Sequence, residues 1–335
     1  MKISIAICCH NSAQRIEKTL QHLQKQEGIK HEQWEILIID NASNDATGME
    51  AQKVWNQAPI APLRVIQENN LGLSYARERA LRESSGDVIA FIDDDNWANP
   101  KWVKHVIHLF AMHPEITAAG GPIHPVLESP PPEWFAHFKG NFTLWDLYPK
   151  AQFVAHPLCG AGLCIRKLAW EELIQKGFRQ QLADRSGENL SSGGDFELCY
   201  AFLLNGGHLW YDPELKIEHF IPQKRLQWNY LMNLRKGFGA QSTVLEVYEM
   251  ILKSHLKTQT YRPKTWWKEA LKCLYHCIRN GYKAFPPESL RNEGKDQAAF
   301  FAEQTGRLAA LWKDKFDYDD RYQSILNQIW IAHKN

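Results

Sequence analysis

No apolar run in this chain approaches the ~20 residues that a bilayer-spanning helix requires, so the sequence offers no membrane span. It also has almost no excess charge: 39 Lys and Arg against 38 Asp and Glu give a formal net charge of +1. That balance supplies no basic footprint for nucleic acid, and none is expected as a partner. Cysteine is sparse and poorly spaced for a scaffold. The 7 residues cannot all pair, Cys8 and Cys9 are adjacent, and no two CxxC units occur to hold zinc. Reduced thiols, mostly in a core and in a cytosolic setting, are the simplest account. The opening Met1-Lys2-Ile3-Ser4-Ile5-Ala6-Ile7 is a strand pattern with no small-residue cleavage site. No secretory leader is therefore expected, and the expected location is cytoplasmic. There is no internal repeat.

What is present describes a packed protein. A hydrophobic fraction of 44% over 335 residues is too apolar for disorder and too long for one small core. One large α/β domain with an extension, or two domains, fits that length.

The first hundred residues alternate short apolar runs with helical periodicity. Ile3–Ile7 reads as a buried strand ending at Cys8-Cys9-His10-Asn11, with Ser12 capping a helix over Ala13–Gln26. Glu35–Ile39 is a second strand, ending in Asp40-Asn41, and a helix runs on to about Asn56. Leu63–Ile66 is a third, ending in Glu68-Asn69-Asn70-Leu71-Gly72 before a helix over Ser74–Ser84, and Val88–Ile92 is a fourth. Continuous apolar strands in β-α order predict a parallel sheet covered on both faces. Ligands bind such sheets beyond the carboxyl ends of the strands, where all four polar clusters fall. Further on, the sequence predicts a helix over Lys101–His113, a strand near Thr117–Gly120, a loop-rich stretch over Gly121–Lys150, and an apolar stretch over Leu158–Ile165. A helix opens at Ser192-Gly193-Gly194-Asp195, short strands follow at Leu209–Tyr211 and Leu215–Ile217, and from Leu226 onward the pattern is helical.

The fourth cluster is the sharpest. Phe91-Ile92 leads straight into Asp93-Asp94-Asp95, and adjacent carboxylates repel unless a positive charge sits among them. An Asp-x-Asp at a strand end can aim two hard oxygen ligands at Mg²⁺ or Mn²⁺. The bland alternative is an acidic turn before a helix capped by Asn99 with Pro100 in its first turn. The two readings are compatible.

Six segments in order resemble a family 2 glycosyltransferase of the GT-A fold. They are Ile5-Ala6-Ile7-Cys8-Cys9-His10-Asn11, the strand and acidic segment Glu35–Asp45, Asn70-Leu71-Gly72-Leu73-Ser74-Tyr75-Ala76-Arg77, Gly86–Asp95, Gly194-Asp195-Phe196-Glu197-Leu198, and Pro213–His219. The likeness covers roughly residues 3–220. It implies an α/β fold with a mostly parallel central sheet, followed by an α-helical extension. The expected division is a catalytic domain over 1–225, with a nucleotide-sugar half (1–100) and an acceptor half (101–225), then a helical region over 226–335.

The resemblance further implies a metal-dependent, inverting transfer of a sugar from a nucleotide-diphosphate donor, UDP being the commonest carrier. The acceptor would be a glycan or a lipid-linked hydroxyl, in cell-surface polysaccharide synthesis. By the same likeness Asp95 and Asp93 hold Mn²⁺ or Mg²⁺, with His219 as a further ligand. Cys8, His10, Asn11, Asp40, Asn41, Asn70, Gly72, Arg77, Asp93 and Asp94 line the donor, and Asp195 is the general base. Plainer roles stand beside these: N-capping for Asp195 and Asp94, an Asx turn for Asp40, a helix ion pair for Arg77, a structural His219. Arg225 is a further candidate for phosphate. The chain departs from the family at two places, Asn41 where a second Asp is usual and Gly194 where a Glu precedes the base.

A nucleotidyltransferase would want a Gly-rich, Arg-containing loop after the first strand, and Cys8–Ser12 is not one. A non-catalytic nucleotide-sugar or glycan-binding protein is the other alternative, disfavoured by the presence of both Asp-x-Asp and Asp195. In the last third, Lys264–Lys283 forms an amphipathic helix with Trp266, Trp267, Ala270, Leu271, Leu274, Cys277 and Ile278 on one side. Packing on a core is the simpler account. Contact with the inner face of a membrane, or a homodimer through these helices and that near Gln297–Leu311, is the alternative.

Overall fold

In the computed structural model, which describes residues 1–182, 192–256, 264–281, 284–328 and 330–331, the first third alternates strand and helix. β1 (Ile3–Cys9), β2 (Trp34–Asn41), β3 (Leu63–Glu68) and β4 (Val88–Phe91) are separated by α1 (Ile16–Gln24), α2 (Thr47–Trp55) and α3 (Leu73–Glu83). β1 runs parallel to both β2 and β4, and β2 parallel to β3. β2 is buried along its whole length, so both faces of its pleat must be apolar. β3 lies at the sheet edge and can afford Arg64 and Gln67.

The remainder of the sheet comes from beyond residue 100. After β5 (Asn96–Ala98) and α4 (Trp102–Met112) come β6 (Ile116–Gly120), β7 (Ile123–Leu127), α5 (Phe135–Phe138), β8 (Gln152–Val154), β9 (Cys164–Arg166) and α6 (Lys167–Gln175). Following α7 (Gly194–Leu204) are β10 (His208–Tyr211) and β11 (Ile217–Ile221). Eight strands form one sheet in the order β3-β2-β1-β4-β9-β6-β10-β8, and β5, β11 and β7 form a second of three. The large sheet is mixed, because β9 enters antiparallel to both β4 and β6.

Several local expectations change. The stretch expected as loop between Gly121 and Lys150 contains β7 and α5. Within Leu158–Ile165 the ladder starts only at Cys164, since Gly162 has φ +76° and a Cβ there would lie 2.8 Å from Ile217 Cδ1. The strand expected at Leu215–Ile217 begins where that expectation ended and continues to Ile221. Ser12 does not cap α1 with its side chain: its carbonyl accepts from Arg15 and Ile16, while its hydroxyl donates to Asp94.

The chain forms two compact units. One takes residues 1–126, 143–175 and 207–221, the other 127–142, 176–206 and 222–335. This differs from a single cut at 225, because α7 packs on α8 (Trp228–His255) within the second unit. Glu197 of α7 is fully buried and accepts hydrogen bonds from the backbone N–H of Gln181 and Leu182, each at 2.8 Å, and from Tyr248 Oη of α8 at 2.7 Å. Three donors compensate the burial of that carboxylate.

The second unit also holds α9 (Trp266–Gly281), α10 (Asp296–Lys313) and α11 (Tyr318–Leu326). α8 and α10 cross at two glycines. A Cβ on Gly239 would lie 1.9 Å from Glu303 O, and one on Gly306 would lie 1.9 Å from Lys236 O. The obstacle is backbone, so the helices must part to admit a methyl group. Gly306→Ala should therefore destabilise the protein by about 3 kcal/mol, outweighing the ~1 kcal/mol that Ala gains over Gly in a helix interior. A thermal melt followed by circular dichroism checks this; an unchanged or raised midpoint would contradict the close crossing.

The expected face of α9 is turned. Trp266, Ala270 and Cys273 pack with Leu308, Leu311 and Tyr318, while Trp267, Leu271, Leu274 and Ile278 stay exposed. Two apolar stripes one residue apart share a 4-3 spacing, and periodicity cannot choose between them. Glu269 sets the rotation by accepting from Arg307 Nη2 at 3.1 Å. Lys283, where the expected helix ends, lies outside the described residues.

Candidate active site

The ends of β1, β2 and the β3–α3 loop are laced together. His10 Nδ1 lies 2.8 Å from Asn41 O. Asn11 takes a left-handed φ of 50°, and its side-chain oxygen accepts from Asn44 N–H at 2.8 Å. Cys8 is half-buried at the strand end, whereas Cys9 is buried and burial pushes its thiol up.

Asn41 is the pin of this region. Its Nδ2 donates to Asn70 O at 2.6 Å and Glu68 O at 3.2 Å, and its Oδ1 accepts from Gly72 N–H at 2.8 Å. A carboxylate could not donate to either carbonyl. The Asn at this position therefore has a local reason, and its side chain holds the β3–α3 loop rather than offering free groups to a nucleotide. Gly72 begins α3 with φ +145°, a conformation that L side chains rarely adopt. Asp40 is buried, and its Oδ2 accepts from Gln67 Nε2 at 2.9 Å. Its Oδ1 is buried with no hydrogen-bond partner among the described residues. An unsatisfied carboxylate oxygen at a strand end is a place for a donor group of a ligand.

After β4 the chain turns sharply through the three carboxylates. Asn96, itself fully buried, makes the turn: its N–H donates to Asp93 O at 3.0 Å, its Oδ1 accepts from Asp93 N–H at 3.3 Å, and its Nδ2 donates to Asp95 Oδ1 at 3.2 Å. Asp94 points to α1, where its Oδ2 accepts from Arg15 Nη2 at 2.6 Å, Arg15 Nε at 3.1 Å and the Ser12 hydroxyl. Burial raises its pKa and the neighbouring Asp95 charge adds to that, while Arg15 opposes both. Asp94, expected along the donor, is instead the carboxylate that fastens the acidic turn to α1.

Asp95 is 5% exposed, and its Oδ1 lies 3.7 Å from His219 Nε2. The pairing of β11 with β5 brings them together, with His219 opposite Asn96 and Phe220 N–H donating to Asp95 O at 2.8 Å. Asp93 is half-buried. Among the described residues no group of three or more His, Cys, Asp or Glu side chains is placed to hold a metal ion. Hard carboxylate oxygen beside one imidazole, short of a full protein shell, suits Mg²⁺ or Mn²⁺, which keep waters and take substrate phosphates. Arg77 places its guanidinium 5.9 Å from the centre of the Phe91 ring, on the strand that carries the turn.

In the second unit, Asp195 is half-buried in the first turn of α7, after Gly193 at φ +104°. Its Oδ1 accepts from Phe196 N–H at 3.0 Å, and the helix dipole favours its anion. Arg225 ends a short 3₁₀ turn over Gln223–Arg225 in the same unit. Sequence reasoning did not single out Arg15, Asn96 or Glu197. Arg15 is 79 positions from its carboxylate, and no local pattern links the two.

Residues 4–163 match the family model described as glycosyl transferase family 2. The glucosyl-dolichyl phosphate glucuronosyltransferase of Haloferax volcanii is 28% identical over 135 residues, 40% of this chain and 42% of that protein. The chain thus matches less than half of that relative's length. Among solved structures, the mannosyltransferase PcManGT from Pyrobaculum calidifontis, in complex with GDP-Man and Mn²⁺, aligns with a TM-score of 0.55 at 13% identity, over 92% of this chain and 87% of that one. The S. aureus TarS fragment 1–349 in complex with UDP aligns with a TM-score of 0.50 at 15% identity, over 97% and 91%. These likenesses establish a GT-A fold with C-terminal helices, as the motif order implied.

Proposed function

Over residues 4–163 the chain belongs to glycosyl transferase family 2, and from that premise we propose that it moves a sugar from a nucleotide-diphosphate donor to a hydroxyl of a glycan or lipid-linked acceptor. The observation that carries the reading is the acidic turn. One carboxylate of three is fastened to α1, and another is held beside an imidazole at the end of a parallel strand.

The donor lies across the ends of β1, β2 and β4. Asp40 Oδ1, buried and unsatisfied, accepts an N–H of the nucleobase. The backbone and side chains of Cys8, His10 and Asn11 line the base and ribose. Asn41, Asn70 and Gly72 fix the loop beside them through their mutual hydrogen bonds. Asp95, with Asp93 and His219, would hold Mn²⁺ or Mg²⁺, and that cation would offset the charge of the leaving diphosphate.

The reaction is a single displacement with inversion. The acceptor oxygen forms a bond to the anomeric carbon as the bond from that carbon to the diphosphate oxygen breaks. The nucleoside diphosphate leaves with the electron pair, and Asp195 takes the acceptor proton. A late proton transfer suits an ordinary carboxylate, because the hydroxyl grows acidic only as it attacks. Fold relatives solved with GDP-Man and Mn²⁺ and with UDP support the donor class, and relatives named for succinoglycan and poly(ribitol-phosphate) synthesis support a polysaccharide setting.

Thermal stabilisation tests the donor site. A nucleoside diphosphate at about 100 times its Kd should stabilise the fold by ~2.7 kcal/mol, with the shift present in Mn²⁺ and much reduced in EDTA. A panel of UDP, GDP, CDP, ADP and TDP, paired with their sugars in a Mn²⁺-dependent hydrolysis screen, identifies the carrier. No metal-dependent shift with any of them would sink the reading.

A further inference from the structure

The exposed face of α9 is unusual for a helix that already has a core to pack on. Trp267, Leu271, Leu274 and Ile278 are 48%, 57%, 44% and 66% exposed, at spacings of four, three and four. At about 100° per residue they form one stripe along the helix. Tyr275, 54% exposed, widens it on one side. The neighbouring arc, Trp266, Ala270 and Cys273, one residue round the helix, is the one seated in the second unit. The stripe is thus surplus to the fold.

Charge is arranged around it with equal order. Lys268, Lys272 and Arg279 lie along the edge next to Tyr275, and all are exposed. The one acid within α9, Glu269, is turned inward to Arg307. Lys268 Nζ lies over its neighbour Trp267, at 5.4 Å from the ring centroid.

 Lys315 likewise lies over Trp312 and Phe316, at 5.1 and 4.9 Å. Those two rings are 63% and 82% exposed, and Trp312 adjoins the start of α9 through its contact with Trp266. Asp317, Asp319 and Asp320 carry the negative charge at that end, and Asp319 accepts the Trp266 N–H at 2.6 Å. The cationic rim therefore belongs to α9 itself and to Lys315.

We propose that this face is a docking surface for an anionic membrane. An apolar stripe with aromatic rings at one end and a one-sided band of Lys and Arg matches the boundary between acyl chains and acidic headgroups. Among the described residues no helix is long and apolar enough to cross a bilayer, so α9 lies in the surface and does not span it. The charge band chooses lipid over a neutral apolar partner. The inference stands on the second unit alone and does not depend on the sugar-transfer reading.

Flotation of the full chain with vesicles tests it. Binding is expected to vesicles of phosphatidylcholine with 30 mol% phosphatidylglycerol, with a preference on the order of tenfold or more over phosphatidylcholine alone from the attraction of the three cations to the acidic headgroups. The variant Trp267→Ser/Leu271→Ser/Leu274→Ser/Ile278→Ser should keep the wild-type melting temperature, because those side chains are exposed, and lose vesicle binding. Lys268→Gln/Lys272→Gln/Arg279→Gln should lose the preference for the anionic lipid. Absence of wild-type binding to either vesicle overturns the proposal. So does a concentration-dependent dimer in sedimentation velocity that the Ser variant abolishes without any vesicle binding, which would assign the face to a second copy of the chain.

Discussion

Replacing Asp195 by alanine is expected to lower sugar transfer by about 10²–10⁴-fold, the range spanned by loss of a positioned general base. Donor binding should survive, because the groups proposed to hold nucleotide and metal belong to the other unit of the chain. The diagnostic result is a fall in kcat with the Mn²⁺-dependent thermal shift by nucleoside diphosphate unchanged. The substitution removes an acceptor for Phe196 N–H in the first turn of α7, a loss worth only about 0.5–2 kcal/mol of helix stability. A melting curve separates that cost from the catalytic one. Transfer at the wild-type rate would remove Asp195 from the mechanism and leave the donor site standing.

Asp95→Asn is expected to act on the other half of the chemistry. The side chain keeps its shape and its contact with Asn96, yet loses the charge proposed to hold a divalent cation. Transfer should fall by about 10³-fold, equivalent to roughly 4 kcal/mol of transition-state stabilisation. The metal-dependent thermal shift should fall with it, in contrast to Asp195→Ala. Stability without metal is expected to move in the opposite direction. Burial, and then the Asp95 charge, raise the pKa of Asp94. Neutralising Asp95 removes a like-charge repulsion from a buried carboxylate, so the metal-free protein should melt no lower than wild type. Transfer within tenfold of wild type would show that Asp95 is not a metal ligand.

The first hundred residues were legible because their signals are local. Continuous apolar strands, polar ends and short helices repeat within about thirty residues, and a parallel β-α order leaves little freedom in how they assemble. The late strands were harder. β5, β8 and β9 have three residues each, too few for a period of two to register, and β9 takes its place between β4 and β6 only through long-range pairing.

Within the site, the sequence determined which residue types stand at each strand end, and so the chemistry open to them. Residue type alone does not rank three adjacent aspartates; the family likeness put Asp95 and Asp93 on the metal. In the structure Arg15 and Ser12 on α1 claim Asp94, and the pairing of β11 with β5 brings His219 beside Asp95. Asn41 reads in sequence as a departure from the family's second Asp, and only the carbonyls of Glu68 and Asn70 show why an amide is required. The helical region shows the same division. Its amphipathic period was plain in the sequence, yet two stripes one residue apart satisfy that period equally. The ion pair between Glu269 and Arg307 and the glycine crossing of α8 and α10 fix which stripe is buried. Spacing along a chain specifies a face; the partners across the fold decide where that face points.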